Sequence, residues 1–419
     1  MLAEARELPI VGTSRLPIYG LLVGNAVSQI GNVMTMVALP WFVLETTGSA
    51  AQTGLVGFFV ALPAFLSGLF GGTLVDRVGY KRVNIVSELF SGFGIVMIPL
   101  LYLTVGLAFW QLLALVFIGA LLDVPGVTAR RSMLPELTKH GGLQLEQVNS
   151  AFEGIQYVSI LLGPPLAGLL IAWLGASNVL WLDAGTFAIS AALVAATIPG
   201  RLAGAPTRVM ERYVDELKAG LRFLRDDSLL LSLAISLAVI NFVSSSVFAV
   251  VLPVYVKQTF DRATVLGLIV AAFGAGALVG VFVYGAIGHR LPRRSLWIAG
   301  FVAEGLWFWA LLLTSSVPII MACIFFAAVI AGPLNALLVT IRHERIPREL
   351  RGRVFSTFSA ISAVASPLGI LLAGFMLEYA GLDATLITIA TLSLLIAIGM
   401  FFVPAFRRMD ESREQAVYA

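Results

Sequence analysis

Charge is scarce in this chain of 419 residues, since Asp, Glu, Lys and Arg together make up only 12% of it. Apolar residues make up 59%, and the mean hydropathy is +0.94. Soluble globular chains carry roughly 25% charged residues, so this chain has too little polar surface to cover a water-soluble fold. The composition therefore favours a lipid bilayer as the solvent.

Residues that bind metals or form disulfides are also few. Cys323 is the single cysteine, which excludes an internal disulfide and a thiolate metal cluster. The three histidines, His140, His289 and His343, fall in basic stretches predicted to be loops, so no metal site is expected. The Gly-Lys-Ser/Thr loop that cradles nucleotide phosphates is absent, so we expect neither ATP hydrolysis nor a cofactor.

Long apolar runs, in contrast, recur along the whole chain. A helix needs about 20 mostly apolar residues to cross the roughly 30 Å hydrocarbon core of a bilayer. Runs of this size predict an all-α membrane protein with twelve transmembrane helices. The predicted spans are Pro17–Leu44, Thr53–Val75, Val83–Leu103, Ala108–Val127, Val148–Leu174, Asn178–Ile198, Leu229–Val256, Val265–Ile287, Ser295–Thr314, Val317–Val339, Val354–Leu377 and Ala384–Val403.

The basic residues are distributed unevenly between the two sides of this map. Of the 27 Lys and Arg residues, all but Lys257 and Arg262 fall in the terminal segments and in alternate loops on one side. Because short cytoplasmic loops carry excess positive charge, this bias predicts that both termini are cytoplasmic. The charge is scattered over short loops rather than gathered on one face, so nucleic-acid binding is not expected.

The longest predicted loop, Pro199 to Asp227, divides the spans into two sets of six. The predicted domains are residues 1–198 and 229–405, separated by a central loop at 199–228 and followed by a tail at 406–419. Apolar residues at helical spacing predict an amphipathic helix within the loop, either on the membrane surface or as a plain linker.

A short pattern recurs half a chain length later. Gly54-Leu55-Val56, at the start of one predicted span, corresponds to Gly267-Leu268-Ile269, and both spans end in a tight basic turn. The repeat predicts two homologous six-helix halves. Such symmetry is typical of transporters, in which the substrate site lies between the repeats.

Several motifs identify a family that this chain resembles. Gly72-x-x-x-Asp76-Arg77-x-Gly79-x-Lys81 resembles the loop between helices 2 and 3 of the major facilitator superfamily, and Gly163-Pro164-x-x-x-Gly168 resembles part of its antiporter motif. Three further stretches resemble the bacterial branch that includes enterobactin exporters and macrolide-efflux proteins. They are Pro40-Trp41 with Thr47-Gly48-Ser49-Ala50, Leu134-Pro135-Glu136-Leu137, and Pro347-x-Glu349-Leu350-Arg351-Gly352-Arg353-Val354.

The resemblance implies a cytoplasmic gate. Members of the superfamily usually carry Arg where this chain has Tyr80, and that Arg commonly pairs with an acid on helix 4, here Asp123. The resemblance therefore implies a latch in which other cations replace the missing Arg. Its predicted members are Gly72, Asp76, Arg77, Gly79, Lys81, Asp123, Arg130 and Arg131.

Carboxylates inside the predicted spans are candidates for proton coupling. Each acid at a helix centre costs about 2.5–3.5 kcal/mol on insertion scales, so each needs a partner, a proton or water. Glu304 is the acid predicted nearest mid-membrane, whereas Asp183 is predicted near the outer face. Glu153 is the other favoured candidate, with a structural role equally open. The full candidate set is Glu153, Glu304, Asp123, Asp183 and Glu88.

Uncharged polar and aromatic residues within the spans are candidates for lining a cavity. Helix 1 carries a polar face, which has to meet a cavity or another helix, and cavity lining is favoured because the resemblance places helix 1 beside the central cavity. Glu153 shares a helix face with two further candidates. The predicted lining residues are Asn25, Gln29, Asn32, Gln156, Tyr157, Asn241, Trp307 and Asn335.

Together these features predict a secondary active transporter of the bacterial inner membrane, working by alternating access. The favoured function is proton-coupled export of amphipathic small molecules such as drugs or a siderophore, by a functional monomer with no partner except substrate and lipid. Uptake and lipid flipping by the same fold remain open, because a fold fixes neither direction nor substrate. A membrane-embedded enzyme is disfavoured, since the acids do not converge with a nucleophile or metal group at one level.

Overall fold

A computed structural model describes residues 14–199, 211–348 and 350–410, and the side chains of residues 68–77, 140 and 211–217 lie outside that description. Within these limits twelve helical segments are long and apolar enough to cross a membrane, which confirms the predicted number. The helices are α1 (Leu16–Thr47), α2 (Ala50–Val78), α3 (Tyr80–Thr104), α4 (Phe109–Leu121), α5 (Asp123–Gly141), α6 (Leu145–Leu174), α7 (Ala176–Thr197), α8 (Glu211–Asp226), α9 (Ser228–Ser246), α10 (Leu252–Thr259), α11 (Ala263–Ile287), α12 (Arg293–Leu313), α13 (Val317–Ala331), α14 (Leu334–Arg345), α15 (Arg351–Ala380) and α16 (Leu382–Phe402).

Three of the twelve spans are interrupted, although the sequence predicted them as continuous. The fourth span breaks at Leu122 between α4 and α5, and the seventh contains a π-helical turn at Val247–Val251. The tenth breaks at Gly332 and Pro333, where the proline lacks the N–H that a continuous helix needs. These breaks lie beside functional candidates, because Asp123 opens α5 and Asn335 follows the break in the tenth span.

The tenth span also ends later than its apolar run. The prediction ended it at Val339, but α14 continues to Arg345. Arg342 and His343 are therefore helical, and placing them in a loop was wrong. A hydropathy pattern stops where charges begin, whereas a helix continues until its backbone hydrogen bonds end.

Among the described side chains, apolar packing joins the two sets of six spans at one end of the bundle. We define the linker end as the end that carries the start of α1, helix α8 and the end of α16, and the other end as the opposite end. One large core, containing Leu44, Ile171, Val254 and Leu377, combines both sets of spans at the opposite end and in the middle. At the linker end each set has its own core. Among the described residues, the two sets thus share one apolar core at the opposite end and have separate apolar cores at the linker end.

Glycines allow the backbones of the two sets to approach closely at the opposite end. A Cβ atom on Gly54 of α2 would lie 2.8 Å from the Cα of Gly374 of α15, and one on Gly168 of α6 would lie 2.6 Å from the Ala263 carbonyl oxygen. Cβ atoms essentially never approach so closely, so only glycine permits this helix spacing.

The central loop contains helix α8, where the sequence predicts an amphipathic helix. It packs against α15, where the Gly220 backbone lies close to the Arg353 carbonyl oxygen. Leu224 of α8 is buried in the linker-end core of the last six spans. Asp227, directly after α8, caps α9 and forms an ion pair of 3.0 Å with Arg345. The linker helix is therefore attached to the last six spans.

Candidate functional site

A cavity of about 740 Å³ lies within the last six spans, between α9 and α15. Its wall extends from the middle of the bundle towards the linker end. Three of the predicted lining residues, Asn241, Trp307 and Asn335, line it. The other side chains that define its chemistry are Ser244, Ser245, Phe248, Phe273, Trp297, Phe301, Glu304, Arg342, Ser359, Ser362 and Ser366.

Glu304 lies in the wall of this cavity, halfway along α12. The Ser244 hydroxyl, on α9, donates a hydrogen bond to its carboxylate. Trp307 is one turn further along, and its ring contacts Phe248, which packs on Phe273 with ring centroids 4.8 Å apart. The acid is thus held beside an aromatic wall.

Arg342 lines the same cavity near the linker end. Its guanidinium carbon lies 4.8 Å from the ring centroid of Phe355 and 5.2 Å from that of Phe358, both on α15. Its Nε atom is buried and has no hydrogen-bond partner among the described residues. This residue was missed as a candidate, because its neighbours in sequence are the basic residues of a predicted loop.

A second, smaller cavity of about 210 Å³ lies within the first six spans and is polar. Here Glu88 of α3 forms a buried ion pair with Arg130 of α5. The Ser91 hydroxyl donates a hydrogen bond of 2.6 Å to Asp123 at the start of α5. Glu88 and Arg130 were both candidates, but their pairing was not predicted. We call Glu88, Ser91, Asp123 and Arg130 the polar cluster.

Asp183 of α7 is fully buried among the same helices. Thr35 of α1 donates a hydrogen bond of 2.5 Å to one carboxylate oxygen, and Thr186 donates one of 3.1 Å to the other. The bond from Thr186 lies within α7 itself. The bond from α1 was not predicted, because sequence periodicity gives the depth of a residue and not the helix that it faces.

The polar face of helix α1 meets both a cavity and a helix. Gln29 and Asn32 line the smaller cavity together with Ser28, whereas Asn25 is buried and Thr35 bonds to α7. Both alternatives for this face are therefore represented in the structure.

The remaining lining candidates lie on α6. Gln156 is partly exposed and Tyr157 is 46% exposed. Neither is among the residues that line the two cavities described above.

The predicted latch residues are only partly brought together. Arg131 forms an ion pair of 2.9 Å with Glu153, and both side chains are about half exposed. Lys81 donates to the carbonyl oxygens of Ala195, on α7, and Ile198, directly after α7, at 2.8 Å and 2.5 Å. Neither cation pairs with Asp123 among the described side chains. The side chains of Gly72, Asp76 and Arg77 lie outside the described residues, so the latch stays a prediction.

Glycines of the latch and of the antiporter-like motif have clear local roles. Gly79 separates α2 from α3 with a φ of +93°, a conformation that favours glycine. In α6, a Cβ atom on Gly163 would lie 2.6 Å from Val33 of α1, and Gly168 faces α11. Pro164 continues the same helix, and its carbonyl oxygen lies beside Gly267 of α11. The motif thus packs α6 tightly against one span from each set.

Metal chemistry finds no support in the described part of the chain. No group of three His, Cys, Asp or Glu side chains there is placed to hold a metal ion. The arrangement can instead bind an amphipathic molecule against aromatic rings and move a proton at a carboxylate.

Comparisons with known proteins agree with this architecture. Residues 17–418 match the family described as transmembrane secretion effectors. The multidrug efflux pump Tap of Mycolicibacterium fortuitum is 30% identical over 96% of this chain and 99% of that protein. Macrolide efflux protein A of Streptococcus pyogenes is 24% identical over 94% of this chain and 98% of that protein.

Solved structures share the fold at low sequence identity. The nucleoside transporter NupG has a TM-score of 0.76 at 11% identity, over 92% of this chain and 98% of that one. A bacterial homologue of the iron transporter ferroportin, in an inward-facing state, has a TM-score of 0.70 at 18% identity, over 92% and 98%. With twelve spans, its cavities and a family match over nearly its whole length, the chain belongs to the transmembrane secretion effector family of the major facilitator superfamily.

Proposed function

We propose that this protein exports amphipathic, drug-like molecules from bacterial cells by alternating access, driven by the proton gradient. The observation that carries the proposal is the cavity of about 740 Å³ in the last six spans. Its volume is in the range of small-molecule sites, and aromatic rings surround a few polar groups. The relatives named as multidrug and macrolide efflux proteins support drug-like substrates.

The packing of the two sets of spans supports alternating access. They share a core at the opposite end and have separate cores at the linker end. If the basic linker end is cytoplasmic, this is the state that takes substrate from the cytoplasm. Export then requires the contacts at the opposite end to separate while the linker end closes.

Proton coupling needs a carboxyl group whose surroundings change between the two states. Burial favours the protonated form of a carboxyl group, and contact with water or a cation favours the charged form. Glu304 is best placed, because it lies in the cavity wall where substrate would compete with the proton. Glu153 is less well placed, because it is half exposed beside Arg131 and is not among the residues that line the two cavities described above. Asp123, Asp183 and Glu88 are alternatives within the first six spans.

Drug susceptibility of a bacterium that lacks its own efflux pumps tests the exporter function. We expect expression of the protein to raise the inhibitory concentration of one or more amphipathic drugs several-fold. Trp307→Ala, which removes a cavity wall, should lose this protection, whereas Trp110→Ala should keep it, because Trp110 is 69% exposed on α4. Unchanged susceptibility across a broad drug panel, with protein present in the membrane, would contradict export.

Cysteine labelling tests the proposed orientation in the cytoplasmic membrane. On a Cys323→Ala background, Gln144→Cys at the linker end should react only after cells are permeabilised. Ser315→Cys at the opposite end should react in intact cells. The reverse pattern would contradict cytoplasmic termini. We further propose that the monomer is the functional unit, which cross-linking in the membrane would check.

A further inference from the structure

Two opposite charges line the large cavity at different depths. Among its described lining residues, Glu304 is the one carboxylate and Arg342 the one guanidinium. With a rise of 1.5 Å per residue, Glu304 lies about 17 Å from the linker-end limit of α12, and Arg342 lies about 5 Å from that of α14. These two helix ends are at the same level, because Arg293 forms an ion pair with Glu344. The two charges are therefore separated along the bundle by about 12 Å at the level of their Cα atoms.

The environment of Arg342 leaves it available to an anion. The rings of Phe355 and Phe358 contact its guanidinium, and aromatic faces partly offset the loss of water around a cation. No ion pair joins Arg342 to a described carboxylate, in contrast to Arg345 one turn later, which pairs with Asp227. Arg342 therefore presents a cation, held in place by stacking, to the cavity.

The net charge of the cavity follows from these two groups. An arginine stays protonated at physiological pH, whereas a glutamate is either neutral or negative. The cavity consequently carries a net charge of either zero or one positive unit. Such a cavity disfavours a molecule whose only charge is positive and favours one with an anionic group.

We propose that Arg342 is a specificity-determining residue, which binds the anionic group of an amphipathic zwitterion. The cationic end of that molecule points towards Glu304, and its apolar body lies against the aromatic wall formed by Phe248 and Trp307. This inference rests on the proposed function, because it names the substrate class of the same cavity.

Two dyes that differ by one charge provide a matched test. Rhodamine B carries a carboxylate and a cationic ring system, and in its ethyl ester the carboxylate is blocked. Fluorescence anisotropy with purified protein in lipid nanodiscs measures the affinity for each. We expect the wild type to bind rhodamine B, the acid, about tenfold more tightly than the ester. Tenfold in affinity is the size of effect expected from one partly buried charge pair.

Variants of the protein assign that preference to one residue. Arg342→Gln should bind both dyes equally, and Arg342→Lys, which keeps the charge, should retain part of the preference. Arg407→Gln is the control, since it removes an exposed cation at the linker end outside the cavity. Glu304→Gln should keep the preference for the acid, because it leaves Arg342 in place.

Several results would overturn the proposal. It is wrong if the wild type binds the two dyes equally or prefers the ester, or if a folded Arg342→Gln protein still prefers the acid. Binding of neither dye would also exclude this class of zwitterion. None of these results contradicts export itself, which the drug-protection assay in cells tests independently. Failure of the dye test and failure of the export proposal can therefore be told apart.

Discussion

The first six spans and the last six enclose very different interiors. The first set holds a polar cavity of about 210 Å³, in which the cation Arg130 is paired with Glu88 and Asp123 accepts a hydrogen bond. The last set holds a cavity of about 740 Å³, with aromatic walls and two charges that do not pair with each other. In the smaller cavity the polar side chains bond to one another. In the larger cavity the two ionisable side chains, Glu304 and Arg342, do not pair with each other.

This difference shows what an internal repeat does and does not specify. The repeat that begins at Gly54 and Gly267 keeps helix starts and glycine contacts equivalent, because close packing depends on small residues at fixed positions. The chemistry of the interior depends on other side chains, which have diverged. We interpret the first set as the rigid partner, held by charges, and the last set as the partner that binds substrate.

Breaking the polar cluster should have the largest effect. Arg130→Ala leaves the Glu88 carboxylate buried without its cation, and removing one partner of a buried pair costs about 3–5 kcal/mol. We expect a marked loss of thermal stability in purified protein. The double variant Glu88→Gln with Arg130→Gln should recover part of the loss, since no unpaired charge remains. An Arg130→Ala protein as stable as the wild type would contradict the interpretation that buried charges hold the first six spans together.

Replacing a single glycine should loosen the contact between the two sets of spans at the opposite end, which we call the seam. Gly374→Val places side-chain atoms where a Cβ would already lie 2.7 Å from the Gly54 Cα, so α2 and α15 have to separate. We expect the opposite end to open, with labelling of Ser49→Cys from outside the cell faster by several-fold. Gly399→Val is the matched control, because a Cβ there meets no atom within 4 Å. Equal labelling in both variants would contradict a closed seam at α2 and α15.

A smaller effect is expected from the cation at the same seam. Lys257 of α10 lies 4.9 Å from the Trp41 ring centroid of α1 and 4.0 Å from the Glu45 carboxylate. Its side chain is partly exposed, and such contacts contribute about 0.5–1 kcal/mol. Lys257→Gln should therefore raise labelling at the opposite end less than Gly374→Val does. An effect as large as that of the glycine would mean that charge, rather than backbone packing, closes this end.

The sequence predicted the spans much better than it predicted the interior. Twelve helices follow from apolar length, which is a local property. Their predicted limits lie within a few residues of the structure except in the fourth span, which breaks after Leu121 and continues to Gly141, and in the tenth, which continues to Arg345. Glu304 lies halfway along α12. The burial of Asp183 against α1 was not predicted, because a predicted depth does not give the neighbouring helix.

The contacts between helices could be identified only from the structure. The Glu88–Arg130 pair joins α3 to α5 and the Ser244–Glu304 bond joins α9 to α12, and no spacing within one helix indicates such partners. Arg342 was not recognised as a cavity-lining residue, because it is the first of several basic residues that follow an apolar run and was therefore placed in a loop. A helical continuation of that run, which would place Arg342 on the face of Leu338 and Asn335, was the one signal available.

Transport in proteoliposomes tests the central claim, namely that a proton at Glu304 in the last six spans drives export. The measurement compares wild type and Glu304→Gln for accumulation of a drug that the cellular assay has identified, with and without a pH gradient. The account predicts that the wild type accumulates drug only with the gradient. Glu304→Gln should bind the drug and exchange it downhill but not accumulate it, because an amide cannot carry the proton. Full gradient-driven accumulation by Glu304→Gln would contradict the account and leave Asp123, Asp183 or Glu153 as the coupling acid.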